Sequence, residues 1–146
     1  MMLRRSAALA GAICALLGAG PAYAQVEWGA AQSAFEDGLG SGVSAQTDGE
    51  YALCAAFWSV WTDALQAGGL ASALPESMDD RLASAAAGTL TLDWLAIVEA
   101  RQLEPAFTTE MESAGGVLGK VLAKDLSATI DFFEVLGVCV KLPEAE

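Results

Sequence analysis

Thr47-Asp48-Gly49-Glu50-Tyr51-Ala52-Leu53-Cys54-Ala55-Ala56-Phe57-Trp58-Ser59-Val60-Trp61 is the stretch on which the fold turns. Thr47, followed three residues later by Glu50, reads as a capping box in which the Glu50 carboxylate reaches back over the helix start. The helix is predicted to run to Ala67 and to stop at Gly68-Gly69. Cys54, Trp58, Trp61 and Leu65 form one stripe at helical spacing, and Tyr51, Phe57 and Val60 widen it. Only Glu50, Asp63 and Gln66 are clearly polar. A helix apolar over so much of its circumference belongs in the middle of a bundle.

Upstream, residues 25–46 read as a short helix and a flexible joint. Trp28, Ala31, Phe35 and Leu39 recur at helical spacing within Glu27 to Leu39. Gly38, Gly40 and Gly42, with Ser41 and Ser44 among them, then break it. A calcium-loop reading of Asp37 to Asp48 fails on chemistry. Leu39 and Ala45 fall where oxygen ligands belong, and the closing bidentate Glu is missing.

Downstream, residues 47–146 read as the helical bundle proper. Pro75 suits a first helical turn, and Ser77-Met78-Asp79-Asp80 offers a second start. Met78 and Leu82, with Ala85 or Ala86, are expected to face inward. Gly88 marks either a kink or a turn, and Trp94, Leu95, Val98 and Gln102 follow along one side. Pro105 ends that segment near Leu103 or Glu104. The next helix starts either there or at a second capping box, Thr109-Glu110-Met111-Glu112. Phe107, Met111, Ala114, Leu118 and Val121 alternate steps of four and three, a bundle-type seam. Leu126, Ile130, Phe133 and Val140 continue a comparable stripe with Gly137 in its row, and Asp125 is a candidate cap between the two. No sustained alternation or hairpin signal competes. The expected fold class is all-α, a small up-and-down bundle of about four main helices.

The first 24 residues point to a compartment. Arg4 and Arg5 precede an apolar run from Ala7 to Leu17, and Ala22-Tyr23-Ala24 is a small-x-small cleavage site. Residues 1–24 are therefore expected to be a cleaved signal peptide, and the protein to be periplasmic or secreted. The apolar run is too short to span a bilayer. Cys14 is not a lipid-attachment site, because Ile13 before it is not small.

Two cysteines remain after cleavage, Cys54 and Cys139. An even number in an oxidising compartment implies a disulfide. The bridge would close a loop of about 86 residues and, on the chain-entropy model, stabilise the fold by about 4.5 kcal/mol. It also constrains topology. Cys54 lies early in its helix and Cys139 late in the last one, so they share an end of the bundle only if the number of main helices is even. Either Gly88 or Asp125 then reverses the chain, but not both.

Composition narrows the function. Removing Arg4 and Arg5 from the seven basic residues leaves five against nineteen acidic ones, a formal charge of −14. Such a surface repels nucleic acid and anionic lipid headgroups and admits a cationic protein as partner. The chain has no histidine. That removes the commonest general base, the Ser-His-Asp and Cys-His arrangements, and most zinc and haem sites. No cofactor or metal motif occurs. Acidic pairs at Asp79-Asp80 and Glu110/Glu112 fall in predicted first turns, where the helix dipole already favours acids.

Two features leave room for a ligand. Trp58 and Trp61 with Tyr51 and Phe57 make an aromatic cluster, which core packing explains but an apolar cavity would also use. Gly115, Gly116 and Gly119 weaken a predicted helix, so close packing, a kink or a pocket wall must compensate. Trp58, Trp61, Gly115 and Gly119 are accordingly the ligand-pocket candidates. The expected function is a non-enzymatic protein-interaction module. The alternatives are a carrier or sensor of a small apolar ligand held between helices and, less favoured, a carboxylate-dependent enzyme.

Overall fold

Three of the long helices have a local reason to begin where they do. The computed structural model describes residues 26–67 and 69–144. The expected leader, residues 1–24, lies outside them. The elements in chain order are α1 (Trp28–Gly40), α2 (Asp48–Gln66), the single turn α3 (Leu70–Ala73), a 3-10 turn (Asp80–Leu82), α4 (Ser84–Arg101), α5 (Glu104–Leu122) and α6 (Leu126–Val138). Among the described residues there is no strand. The fold is all-α, with one packed core.

Thr47 caps α2 as its sequence predicts. Its side chain accepts from the Glu50 N–H, and the Glu50 carboxylate accepts from the N–H groups of Gln46 and Thr47 at 2.7 and 2.9 Å. Asp125 caps α6 by accepting from the Ala128 N–H at 3.0 Å. α5 begins at Glu104 with Pro105 in its first turn, where the missing N–H costs nothing. The second capping box at Thr109 is therefore not used as one. The Thr109 hydroxyl instead donates back to the Pro105 carbonyl. Gly88 neither kinks into a turn nor ends anything, since α4 runs through it. Asp125 is the reversing turn, preceded by Lys124 at φ +67°.

Contacts along the helices fix their directions. Asp48 at the start of α2 pairs with Arg101 at the end of α4, 3.0 Å apart, and Trp61 late in α2 donates to the Leu82 carbonyl before α4. α2 and α4 are thus antiparallel. Cys54 is bonded to Cys139 with Cα atoms 5.3 Å apart, and Phe57 and Trp61 stack on Phe132 and Phe133. α6 therefore also runs against α2. From α2 onward the long helices are α2, α4, α5 and α6, so the even count inferred from the disulfide holds.

α1 adds a further helix to that set. It packs along α6 and runs parallel to it, since Glu27 before α1 approaches Lys124 before α6 and Gly38 lies against Glu134 and Val138. Ala31 and Phe35 are wholly buried in the same core as α2. The approach is closer than side chains permit. A Cβ on Gly137 would lie 2.2 Å from the Phe35 carbonyl oxygen, and one on Gly38 would lie 2.2 Å from that of Glu134.

The core centres on α2, whose Trp58, Trp61 and Cys54 are fully buried. The α6 stripe differs from its sequence reading. Phe132, Phe133, Leu136 and Gly137 face inward, while Leu126 and Ile130 are exposed. The inner face is set by two neighbours at once, α1 and α2, and a single-stripe reading cannot weigh both.

Candidate functional site

The aromatic cluster is core, and its indole N–H groups are used internally. Trp58 and Trp94 both donate their indole N–H to one acceptor, the Cys139 carbonyl, at 3.1 and 2.9 Å. That carbonyl sits where α6 ends and has no helical partner of its own, so two indoles fill both its lone pairs. Trp61 satisfies the Leu82 carbonyl in the same way at 2.9 Å. Thr91 Oγ1 lies 2.8 Å from Thr62 Oγ1 and within reach of the Trp58 and Ala87 carbonyls. Gly115 and Gly119 lie elsewhere, on the outer face of α5, and a Cβ on either would meet nothing within 4 Å. The structure thus does not bring Trp58 and Trp61 together with Gly115 and Gly119 around one space.

A hollow of about 390 Å³ lies at another place, between the segment after α1, α2 and α6. Val43, Ser44 and Ala45 form one side, with Glu50, Leu53 and Cys54 of α2 next to them. Asp131, Glu134, Val135, Val138 and Cys139 complete it from α6. The lining is mainly apolar, and the disulfide forms part of it. Val43 stands 63% exposed at the mouth. The charged lining residues are all acids: Glu50, Asp131 and Glu134.

Glu50 serves the fold before it serves the groove. The N–H donors of Gln46 and then Thr47 hold its carboxyl below the ordinary value of 4.5. A general acid at neutral pH needs the opposite shift. Asp79, by contrast, caps the 3-10 turn and pairs with Arg81 at 3.1 Å. Glu110 and Glu112 lie beyond the first turn of α5, because that helix starts earlier than a Thr109 cap would place it. Among the described residues no three His, Cys, Asp or Glu side chains group as metal ligands.

A second hollow of about 270 Å³ lies across Ser44 and Ala45 from the first. It is polar, and Arg101 and Lys141 line it. Arg101 sits 5.0 Å over the Tyr51 ring besides pairing with Asp48. The segment 44–45 thus separates an acid-lined apolar hollow from a polar one lined by Arg101, Lys141 and Glu144.

Sequence reasoning missed the first hollow because its walls are three segments distant in the chain. One local signal existed: Asp131, Glu134, Val135 and Val138 fall at helical spacing on one face of α6. No helix among the described residues is long and apolar enough to cross a membrane. No protein-family model, curated protein or solved structure matches the chain, so the site is read from its own chemistry.

Proposed function

We propose that this chain is a non-catalytic protein-interaction domain that works outside the cytoplasm, in the periplasm or beyond, and engages its partner through the groove between Val43 and α6. One observation carries the reading. The three buried tryptophans donate their indole N–H groups to carbonyls inside the core, while an apolar hollow lined by the exposed Val43 opens at the surface beside it. Apolar surface presented within a polar rim is what partner binding uses. A carrier would be expected to enclose its ligand, since small-molecule sites bury most of the ligand surface. The leader and the disulfide support the location. The acidic charge disfavours nucleic acid and anionic membranes.

The test places a photo-crosslinking residue at Val43 and, separately, at Leu92 in cells of the native host. Leu92 is 69% exposed and remote in sequence from the groove residues. A discrete crosslinked protein from position 43 and none from 92 supports the reading. Absence of any crosslink at 43, or the same products from both positions, overturns it. Native mass spectrometry of the purified protein separates the carrier alternative, which requires a retained small molecule.

A further inference from the structure

The partner's chemistry follows from what lines the groove, taking its role as a docking site from the reading above. The apolar surface comes from Val43, Leu53, Val135, Val138 and the disulfide. The charge comes from Asp131 and Glu134, with Glu50 committed to capping α2. Arg101 and Lys141 line the separate hollow beyond Ser44 and Ala45, not this one. We infer that the groove binds a polypeptide segment of another protein carrying an apolar side chain next to Lys or Arg.

Three observations converge on that occupant. The volume lies toward the small end of ligand sites, which span roughly 300–1,000 Å³, so it suits one or two side chains. Apolar surface also faces solvent here: Val43, which lines the hollow, is 63% exposed, and Leu39, four residues before it near the end of α1, is 39% exposed. A ligand that extends beyond the hollow covers that surface, and a chain segment does so where a compact molecule does not. Finally, an acidic rim around apolar walls selects cationic neighbours by complementarity and repels a second copy of this acidic chain.

The geometry assigns separate roles to the two ends of the contact. The apolar anchor enters between α2 and α6 and displaces water from Leu53, Val135 and Val138. The cation remains at the rim against Asp131 and Glu134, partly hydrated. Rim contacts of this kind govern association rate and salt sensitivity more than dissociation. Binding is therefore expected to weaken steadily with ionic strength.

The test titrates the disulfide-intact chain from Gln25 onward with a blocked, dye-labelled peptide of Leu and Lys, followed by fluorescence anisotropy. Leu/Glu and Gly/Lys peptides of equal length are the comparison probes. Saturable, salt-sensitive binding of Leu/Lys alone is expected. The exposed charge reversals Asp131→Lys and Glu134→Lys together should weaken it about tenfold, with an unchanged far-ultraviolet spectrum showing that the fold survives. Leu92→Asp should leave it unchanged. Equal binding of Gly/Lys, undiminished binding to the double variant, or no saturable binding overturns the inference. A photo-crosslink from Val43 to a second copy of the chain overturns it as well. A crosslink at Val43 to another protein, without Leu/Lys binding, leaves the interaction domain standing and removes only the cationic occupant. Leu/Lys binding without any crosslink in the native host does the reverse.

Discussion

Glycine does opposite work on the two sides of this molecule. At the α1–α6 contact, Gly38 and Gly137 let two helices meet backbone to backbone, and neither position has room for a methyl group. On the outer face of α5, Gly115, Gly116 and Gly119 border nothing, and a Cβ would enter open space. The sequence shows glycine within a helix in both places. The cost relative to alanine is the same in both, about 1 kcal/mol per residue. Only at α1–α6 does packing offset it. α6 is thus pinned on two flanks, by α1 through glycine and by α2 through the disulfide, while one face of α5 is unpinned.

The largest expected effect tests the second pin. Replacing both Cys54 and Cys139 by Ala should lower stability by about 4.5 kcal/mol in urea unfolding, the loop-closure value for a bridge of this span. A loss below about 1 kcal/mol would mean that the reduced chain already holds its ends together. Next comes the glycine contact itself. Gly137→Ala should cost about 3 kcal/mol, the upper end for overpacking, because the obstructing atoms are the Phe35 carbonyl and the Leu39 nitrogen rather than a yielding side chain. Thermal unfolding of this variant would erase the comparison if it matched the wild type.

Smaller effects sharpen the contrast. Thr47→Ala removes the α2 cap and should cost about 1 kcal/mol, placing the value of one helix terminus beside that of a helix contact. Gly119→Ala should change sign and stabilise by about 0.5–1 kcal/mol, since it removes chain entropy and meets nothing. A destabilised Gly119→Ala protein would show that this face is covered in solution. The smallest effect is a pH dependence. Glu50 has a folded-state pKa below its ordinary value, so its contribution is present above that value and lost as pH falls through the lowered one. Glu50→Gln should therefore be less stable than wild type at neutral pH, and the two should converge in acid.

Local signals were legible wherever the cause was local. Thr47 and Glu50 set the start of α2 within the chain itself, and Asp125 did so for α6. The apolar spacing of α1, read from Glu27 to Leu39, gives a helix observed from Trp28 to Gly40. Where two local signals competed, packing chose between them. Pro105 prevailed over Thr109 as the start of α5, and Gly88 stayed inside α4. The site was less legible. For Trp58 and Trp61 the spacing admits both core packing and a pocket wall, and the structure buries both in the core, while the groove joins residues 43–45, 50–54 and 131–139. No spacing rule connects segments so far apart.

The sequence alone determined the helical class, the capped ends, the paired cysteines and the even helix count that their bridge demands. Each depends on near neighbours or on one covalent constraint. Only the tertiary structure decided that Gly38 and Gly137 each face the backbone of the other's helix and that a Cβ on Gly115 or Gly119 would meet nothing within 4 Å. It also decided that Cys139 offers its carbonyl to two tryptophans and its sulfur to the wall of a groove. The reason is physical: which face a glycine or an acid presents depends on the partner helix, and the partner is chosen by the whole core at once.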